Sequence, residues 1–261
     1  MALDPAACLL TDRVAVVTGA AVGIGEAIAL AFARFGAHVA VCDRDVANLD
    51  ATADGVEATG RRVVAAELDV RDDEACAGFV ATAARELGPV DILVNNAGGG
   101  FGADFLEVSA KGQDALVREN FVSVTNFIRP TVAAMGDRGG SIVNLTSIEA
   151  HRAAPGYAVY SAMKAAVANL TKSLALELGP RQIRVNCIAP DVIPTPGVGP
   201  VGVHTPLPVA GAVDDVAGAA VFLAGDLSRF VTGTTIHVDG GNLAAGGWHG
   251  QPDGSYVTYT P

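Results

Sequence analysis

Thr18-Gly19-Ala20-Ala21-Val22-Gly23-Ile24-Gly25 follows directly on an apolar run, Arg13–Thr18, and opens an alanine-rich segment, Gly23–Phe35. Strand, glycine-rich turn, helix is the order this stretch predicts. Glycines let a backbone turn tightly and come close to a bound anion. A helix N-terminus adds unpaired amides and a favourable dipole. The spacing Gly-x-x-x-Gly-x-Gly differs from the Gly-x-Gly-x-x-Gly dinucleotide fingerprint, and such a turn also serves ordinary strand-to-helix connections.

The same alternation continues outward. Further apolar runs at His38–Asp43, Arg62–Asp69, Val90–Asn95, Ser141–Thr146, Arg184–Ala189 and Thr235–Asp239 read as strands. Helical patterns lie between them at Asp45–Thr59, Asp72–Leu87, Lys111–Met135, Val159–Leu178 and Val213–Ala224. Continuously apolar strands separated by helices predict a parallel sheet covered on both faces. The expectation is one doubly wound α/β domain of the Rossmann type over residues 1–261. It has a seven-stranded parallel sheet, a core at 10–242, a proline- and glycine-rich loop at 194–208 and a polar tail at 242–261.

Of 261 residues half are hydrophobic, and 17 basic against 28 acidic side chains leave a net charge of −11. That field repels nucleic acid and anionic membranes, and more weakly opposes an acidic carrier protein as partner. The apolar stretches fall far short of the roughly 20 residues a membrane span needs. Met1 to Asp12 has no cationic segment before Cys8-Leu9-Leu10, so the expectation is a cytoplasmic protein. The four cysteines and five histidines are scattered without metal-ligand spacing. No metal is expected, and Cys42 and Cys187 read as small core hydrophobes.

Tyr160 and Lys164 stand four apart on the helix that begins near Val159, so both lie on one face. An ammonium beside a phenol lowers the phenol's pKa from about 10 toward the range useful to a general acid/base. Ser147, at a strand end thirteen residues upstream, can hold a substrate oxygen in line with it. Asp43 ends the second strand eighteen residues after Gly25. A carboxylate there accepts hydrogen bonds from ribose hydroxyls and repels a 2′-phosphate, although a helix N-cap is the competing use. Arg44, next to it, keeps the phosphorylated cofactor open.

Together, Thr-Gly-x-x-x-Gly-Ile-Gly, Asn95-Asn96-Ala97-Gly98, Ser147 and Tyr160-x-x-x-Lys164 resemble the short-chain dehydrogenase/reductase family from about Leu10 to Asn242. The resemblance implies that Tyr160 is the acid/base, that Lys164 lowers its pKa and binds the nicotinamide ribose, and that Ser147 orients the carbonyl. Asn120 would hold a water in a proton relay. For the cofactor it implies Gly19, Gly23, Ile24 and Gly25 at the pyrophosphate and Asp43 at the ribose. Asp69 and Val70 would meet the adenine, and Asn96, Ala97 and Gly98 the cofactor floor. Pro190, Ile193 and Thr195 would lie along the nicotinamide. Asn95 reads as a structural bond to a neighbouring strand, and Tyr157 as outside the motif. Asp191 departs from the family, which commonly has glycine there; aspartate suits the position if φ is positive.

The implied function is NAD-dependent interconversion of a hydrophobic secondary alcohol, steroid-like or alicyclic, and its ketone, in a homotetramer acting on a small molecule. NADP is the second choice. A 3-oxoacyl thioester reductase is the alternative, and a non-catalytic cofactor-binding regulator a remote one. Glu149, His151 and Arg152 read as solvated loop residues, and His204 as the polar member of an apolar loop. Trp248, Tyr256 and Tyr259 are unusual for a disordered tail. They predict a segment packed on the 194–208 loop of its own or a neighbouring subunit, or serving as an interface strap.

Overall fold

The structure, a computed structural model, describes residues 4–199, 201–203, 205–251 and 254–258. Seven strands form one parallel sheet: β1 (Val14–Thr18), β2 (His38–Asp43), β3 (Val63–Glu67), β4 (Ile92–Asn95), β5 (Gly140–Leu145), β6 (Ile183–Pro190) and β7 (Thr235–Val238). Their spatial order is β3-β2-β1-β4-β5-β6-β7, every pairing parallel. The order reverses direction between β1 and β4, which opens a crevice beyond the carboxyl ends of those strands.

Alternation along each strand divides the core in two. Ala15 and Val17 point to one face with α1 (Ile24–Arg34), α2 (Val46–Glu57) and the later helix Val213–Ala224. Val14 and Val16 point to the other, against α3 (Asp73–Leu87) and the helices Ser123–Met135 and Ala158–Leu178. The strand centres Val16, Val39 and Leu93 are wholly shielded, each contributing roughly 1.5–3 kcal/mol by burial.

The expected elements are present with ends shifted by a residue or two, with two exceptions. The helix expected over Lys111–Met135 is broken into α4 (Ala110–Val117), a π-helical turn (Arg118–Val122) and α5 (Ser123–Met135). Apolar periodicity runs through such a turn almost unchanged, so the pattern alone reads as one helix. After α6 (Ala158–Leu178) and α7 (Val213–Ala224), the tail is more ordered than a polar coil. It forms a short helix, α8 (Asn242–Ala245), and an antiparallel pair, β8 (His249–Gly250) with β9 (Tyr256–Val257).

The 194–208 loop is non-helical where described, as expected. Leu207 N donates to Gly240 O at 3.0 Å, and a Cβ on Gly241 would meet Pro206. The loop therefore rests on the chain just before the tail. Trp248 and Tyr256 are themselves 53 % and 67 % exposed, so they do not bury against their own chain. His204 and Tyr259 lie outside the described residues. Asp191 is not among the described residues with positive φ, so its place is not explained by backbone conformation.

Two glycines test this account of packing. A Cβ on Gly25 would stand 2.0 Å from Gly19 O, whereas one on Gly78, in the exposed face of α3, would meet nothing within 4 Å. Gly78→Ala should stabilise by about 0.5–1 kcal/mol through the loss of backbone entropy in the unfolded chain. Gly25→Ala should cost about 1–3 kcal/mol through overpacking. Urea denaturation of both variants distinguishes the two signs, and a neutral Gly25→Ala would contradict the close approach.

Candidate active site

The glycine-rich turn is held from three sides. Gly19 N and Ala20 N both donate to Cys42 O, tying the turn to β2. Thr18 Oγ1 accepts from Asn96 N at 3.1 Å and from Ala97 N at 3.0 Å, while Asn96 Nδ2 donates to Thr18 O and Gly19 O. Gly19 and Gly23 have φ of 65° and 69°, the left-handed region that glycine enters without a Cβ clash. A Cβ on Gly23 would touch Thr195 Cγ2 at 3.0 Å, so Thr195 closes the outer side of the turn.

Beside this turn lies a cavity of about 330 Å³ at the carboxyl ends of the strands. Gly19, Ile24, Asp43, Val70, Asn96, Ala97, Gly98, Tyr160, Lys164 and Pro190 line it, all expected from the sequence. Gly23, Gly25, Asp69, Asn120, Ser147, Ile193 and Thr195 stand around it without lining it; Ile193 is 5 % exposed and belongs to the core. Val22, Leu68, Glu119, Leu145 and Thr146 line it and were not picked out. The strand-end rule for open α/β sheets points to Leu145 and Thr146. Glu119 gave no signal beyond its place before Asn120.

Asp43 is not a helix cap: Asp45 caps α2 by accepting from Asn48 N. Asp43 Oδ1 accepts from the amides of Arg44 and Asp45, and Oδ2 from that of Ala21 at 3.1 Å. The carboxylate is thereby fixed at the cavity wall, with lone-pair capacity left on Oδ2. Asp69 instead turns to Arg71, which grips both its oxygens. That bond holds its pKa down at about 2. The side chain expected at an adenine is thus committed to a neighbour.

Asn120 sits in the π-helical turn, fully buried. Its Nδ2 donates to Leu116 O four residues back and to Gly99 O, and its Oδ1 accepts from Gly99 N. A Cβ on Gly98 would meet both Asn120 Oδ1 and Lys164 Nζ, so these two polar groups flank one peptide. Lys164 is buried and donates to Leu145 O at 2.9 Å. Burial lowers its pKa to about 8.

Ser147 acts on the Tyr160 phenol, opposing the rise of its pKa, and Ser147 Oγ accepts from Glu149 N at 3.1 Å. One expectation is corrected here. Burial raises the Tyr160 pKa, the Ser147 hydroxyl opposes it and the Glu149 charge adds to it. The phenol's pKa is thus raised where the sequence reading expects it lowered. Lys164 Nζ lies over the ring, 5.7 Å from its centroid, and donates to a strand carbonyl. Tyr157 stays off the main cavity, 6.4 Å from the Tyr160 ring centroid, and lines a small apolar recess with Phe101, Phe105 and Leu116.

A buried polar chain runs beneath α6. Asn95 Nδ2 donates to Asn144 Oδ1, Asn144 Nδ2 donates to Thr171 Oγ1, and Cys187 Sγ meets the same hydroxyl. Asn95 is structural, as expected. Past Ser147, Glu149 and Arg152 pair at 2.8 Å and are not simply solvated. Asp191 lies 3.7 Å from Arg152 and accepts from Asn242 Nδ2 at 2.7 Å. The His151 and His237 rings meet at 4.7 Å, and burial with the His237 charge lowers the His151 pKa.

Known proteins match this arrangement along most of the chain. A family model described as enoyl-(acyl carrier protein) reductase matches residues 19–242. Gluconate 5-dehydrogenase of Gluconobacter oxydans is 39 % identical over 244 residues, covering 89 % of this chain and 95 % of that protein. A dehydrogenase/reductase from Sinorhizobium meliloti superposes with a TM-score of 0.87 at 37 % identity, covering 90 % of this chain and 97 % of the other. Carveol dehydrogenase from Mycobacterium avium in complex with NAD gives 0.85 at 32 % identity, covering 90 % and 99 %.

Burial of Lys164 has a pH signature. Its proton leaves at about 8 in the folded chain, against 10.5 for a solvated lysine. Below 8 both states are protonated and the burial cost is felt in full. Between 8 and 10.5 the unfolded state binds more proton, so stability rises with pH. Measured by urea denaturation across that range, the parent should gain on Lys164→Met as pH rises. A pH-independent difference would contradict a protonated, buried lysine at neutrality.

Proposed function

The chain belongs to the short-chain dehydrogenase/reductase family, and on that premise we propose that it is an NAD-dependent oxidoreductase interconverting a hydrophobic secondary alcohol and its ketone. The observation that carries this reading is Tyr160, close enough to Ser147 to feel its hydroxyl and covered by Lys164, in the wall of a cavity that the glycine-rich turn also lines.

The residues present fit a nicotinamide dinucleotide. Gly19 and Gly25 let the turn pack directly against the Asn96–Ala97 segment and its own carbonyl, and the N-terminus of α1 offers amides to a pyrophosphate. Asp43 faces the cavity with an unused acceptor position for ribose hydroxyls, and Lys164 and Asn96–Gly98 line the far end. When bound, the nicotinamide donates or accepts the hydride.

The chain's own residues handle the oxygen. Tyr160 carries its proton at neutral pH, as its raised pKa requires, and gives it to the substrate oxygen in the reductive direction. Ser147, acting on the same phenol, orients that oxygen and stabilises its developing charge. Lys164 supplies a cation one helical turn away for the nicotinamide ribose. Asn120, with Gly99 and Lys164 beside it, positions the water that reprotonates the tyrosine. Exposed Val198 and Val203 on the 194–208 loop support an apolar substrate. The likeness to a carveol dehydrogenase agrees with this. The likeness to a 3-oxoacyl-[acyl-carrier-protein] reductase of Chlamydia trachomatis, 35 % identical over 246 residues, favours a second reading, reduction of a 3-oxoacyl thioester.

We further propose a cytoplasmic homotetramer; Leu176 and Phe230, 78 % and 97 % exposed, are apolar side chains open to another subunit. Trp248 and Tyr256 in the tail are available to a neighbour's 194–208 loop in the same way.

Tyr160→Phe keeps the ring and removes the proton donor. Turnover should fall at least about 10²-fold with cofactor binding nearly intact, while Tyr157→Phe should be mild. The substrate panel should span alicyclic alcohols, steroids and 3-oxoacyl thioesters; near-normal turnover in Tyr160→Phe sinks the assignment. NAD(H) should be preferred over NADP(H), and Asp43→Ala should narrow the gap. Equal efficiency of the two cofactors in the parent would show that Asp43 does not select.

A further inference from the structure

Four charged side chains gather at the Asp43 end of the cavity. Arg44 follows Asp43 at the end of β2, and Glu119 projects from the π-helical turn; both line the cavity. Arg44 Nη2 donates to Glu119 Oε1 at 3.1 Å. Next to them, Asp69 and Arg71 form the second pair, and the charges of Arg44 and Glu119 are felt there too.

The two arginines are held very differently. Arg71 meets Asp69 through Nε and Nη2 on both carboxylate oxygens, a geometry that adds strength as well as direction. Arg44 has one side-chain bond, to Glu119, and its side chain is 56 % exposed against 27 % for Glu119. Exposed ion pairs of this kind hold their partners only about two- to fivefold. Arg44 is therefore the cation that a phosphate can take, and Glu119 is what it must be taken from.

We propose that Glu119 is a cofactor-specificity residue: by holding Arg44 across the cavity rim it withholds that cation from a ribose 2′-phosphate, and so reinforces the choice of the unphosphorylated dinucleotide. This rests on reading the cavity as the adenosine site. Asp43 repels the phosphate directly from a rigid position. Glu119 acts from the opposite wall, through another side chain, and its contribution depends on Arg44 being present. Glu119 is a good site for substitution, because the π-helical turn uses its backbone carbonyl, which accepts from Ser123 Oγ, and not its carboxylate.

The test uses nucleotide fragments and needs no turnover. Adenosine 5′-phosphate and adenosine 2′,5′-bisphosphate are titrated by calorimetry into the full chain, into Glu119→Gln, into Arg44→Ala and into the double variant. Glu119→Gln should improve the affinity ratio of bisphosphate to monophosphate by about two- to fivefold, the strength of the pair it dissolves. In the Arg44→Ala background the same substitution should leave the ratio unchanged. A ratio unmoved by Glu119→Gln overturns the inference while leaving the adenosine site intact. A gain that persists without Arg44 also overturns it, since Glu119 would then act by its own charge. A parent chain that binds neither nucleotide overturns the adenosine site and this inference with it.

Discussion

The site depends first on how the glycine-rich turn is fastened to the end of β4. Thr18 Oγ1 takes the amides of Asn96 and Ala97, and the Asn96 side chain returns two bonds to the carbonyls of Thr18 and Gly19. Such a reciprocal arrangement satisfies polar groups that would otherwise be stranded at a buried strand end. It also fixes the distance between the two loops that flank the crevice. Gly25 is confined by the same bonds, since the Asn96 amide and the Gly19 carbonyl occupy the space a side chain would need.

On this frame the charges are arranged by burial more than by attraction. Lys164 is an ammonium within the protein, tied to a strand carbonyl, and its proton is correspondingly loose. Tyr160 is a half-buried phenol that keeps its proton tightly. Bringing these two groups toward a common pH requires more charge or hydrogen bonding at the phenolic oxygen than Ser147 supplies. A ribose bonded to Lys164 and a positively charged nicotinamide would both act in that direction.

The parallel sheet was legible because each strand is an uninterrupted apolar run, and because glycine and Asp43 punctuate the first two strand ends. Tyr160 and Lys164 were legible because helical spacing fixes their common face whatever the tertiary structure. The π-helical turn was not, since a single extra residue hardly disturbs an apolar stripe. The Arg44–Glu119 pair was hidden for a different reason. Its members are 75 positions apart, and only tertiary packing, α5 on β4 and β5 and α4 on α6, brings them together. The raised tyrosine pKa was hidden because helical spacing fixes a shared face but not how deeply the phenol is buried.

The buried chain from Asn95 through Asn144 to Thr171 and Cys187 links three neighbouring strands to the middle of α6. Thr171 stands two turns beyond Lys164, so the helix is keyed to the sheet at a point well removed from any ligand. Sliding α6 along the sheet, or rolling it, would strand an amide in an apolar interior. The relation between tyrosine, lysine and strand end is thus settled when the chain folds, and an arriving molecule finds its reacting partners with their translational and rotational freedom already spent.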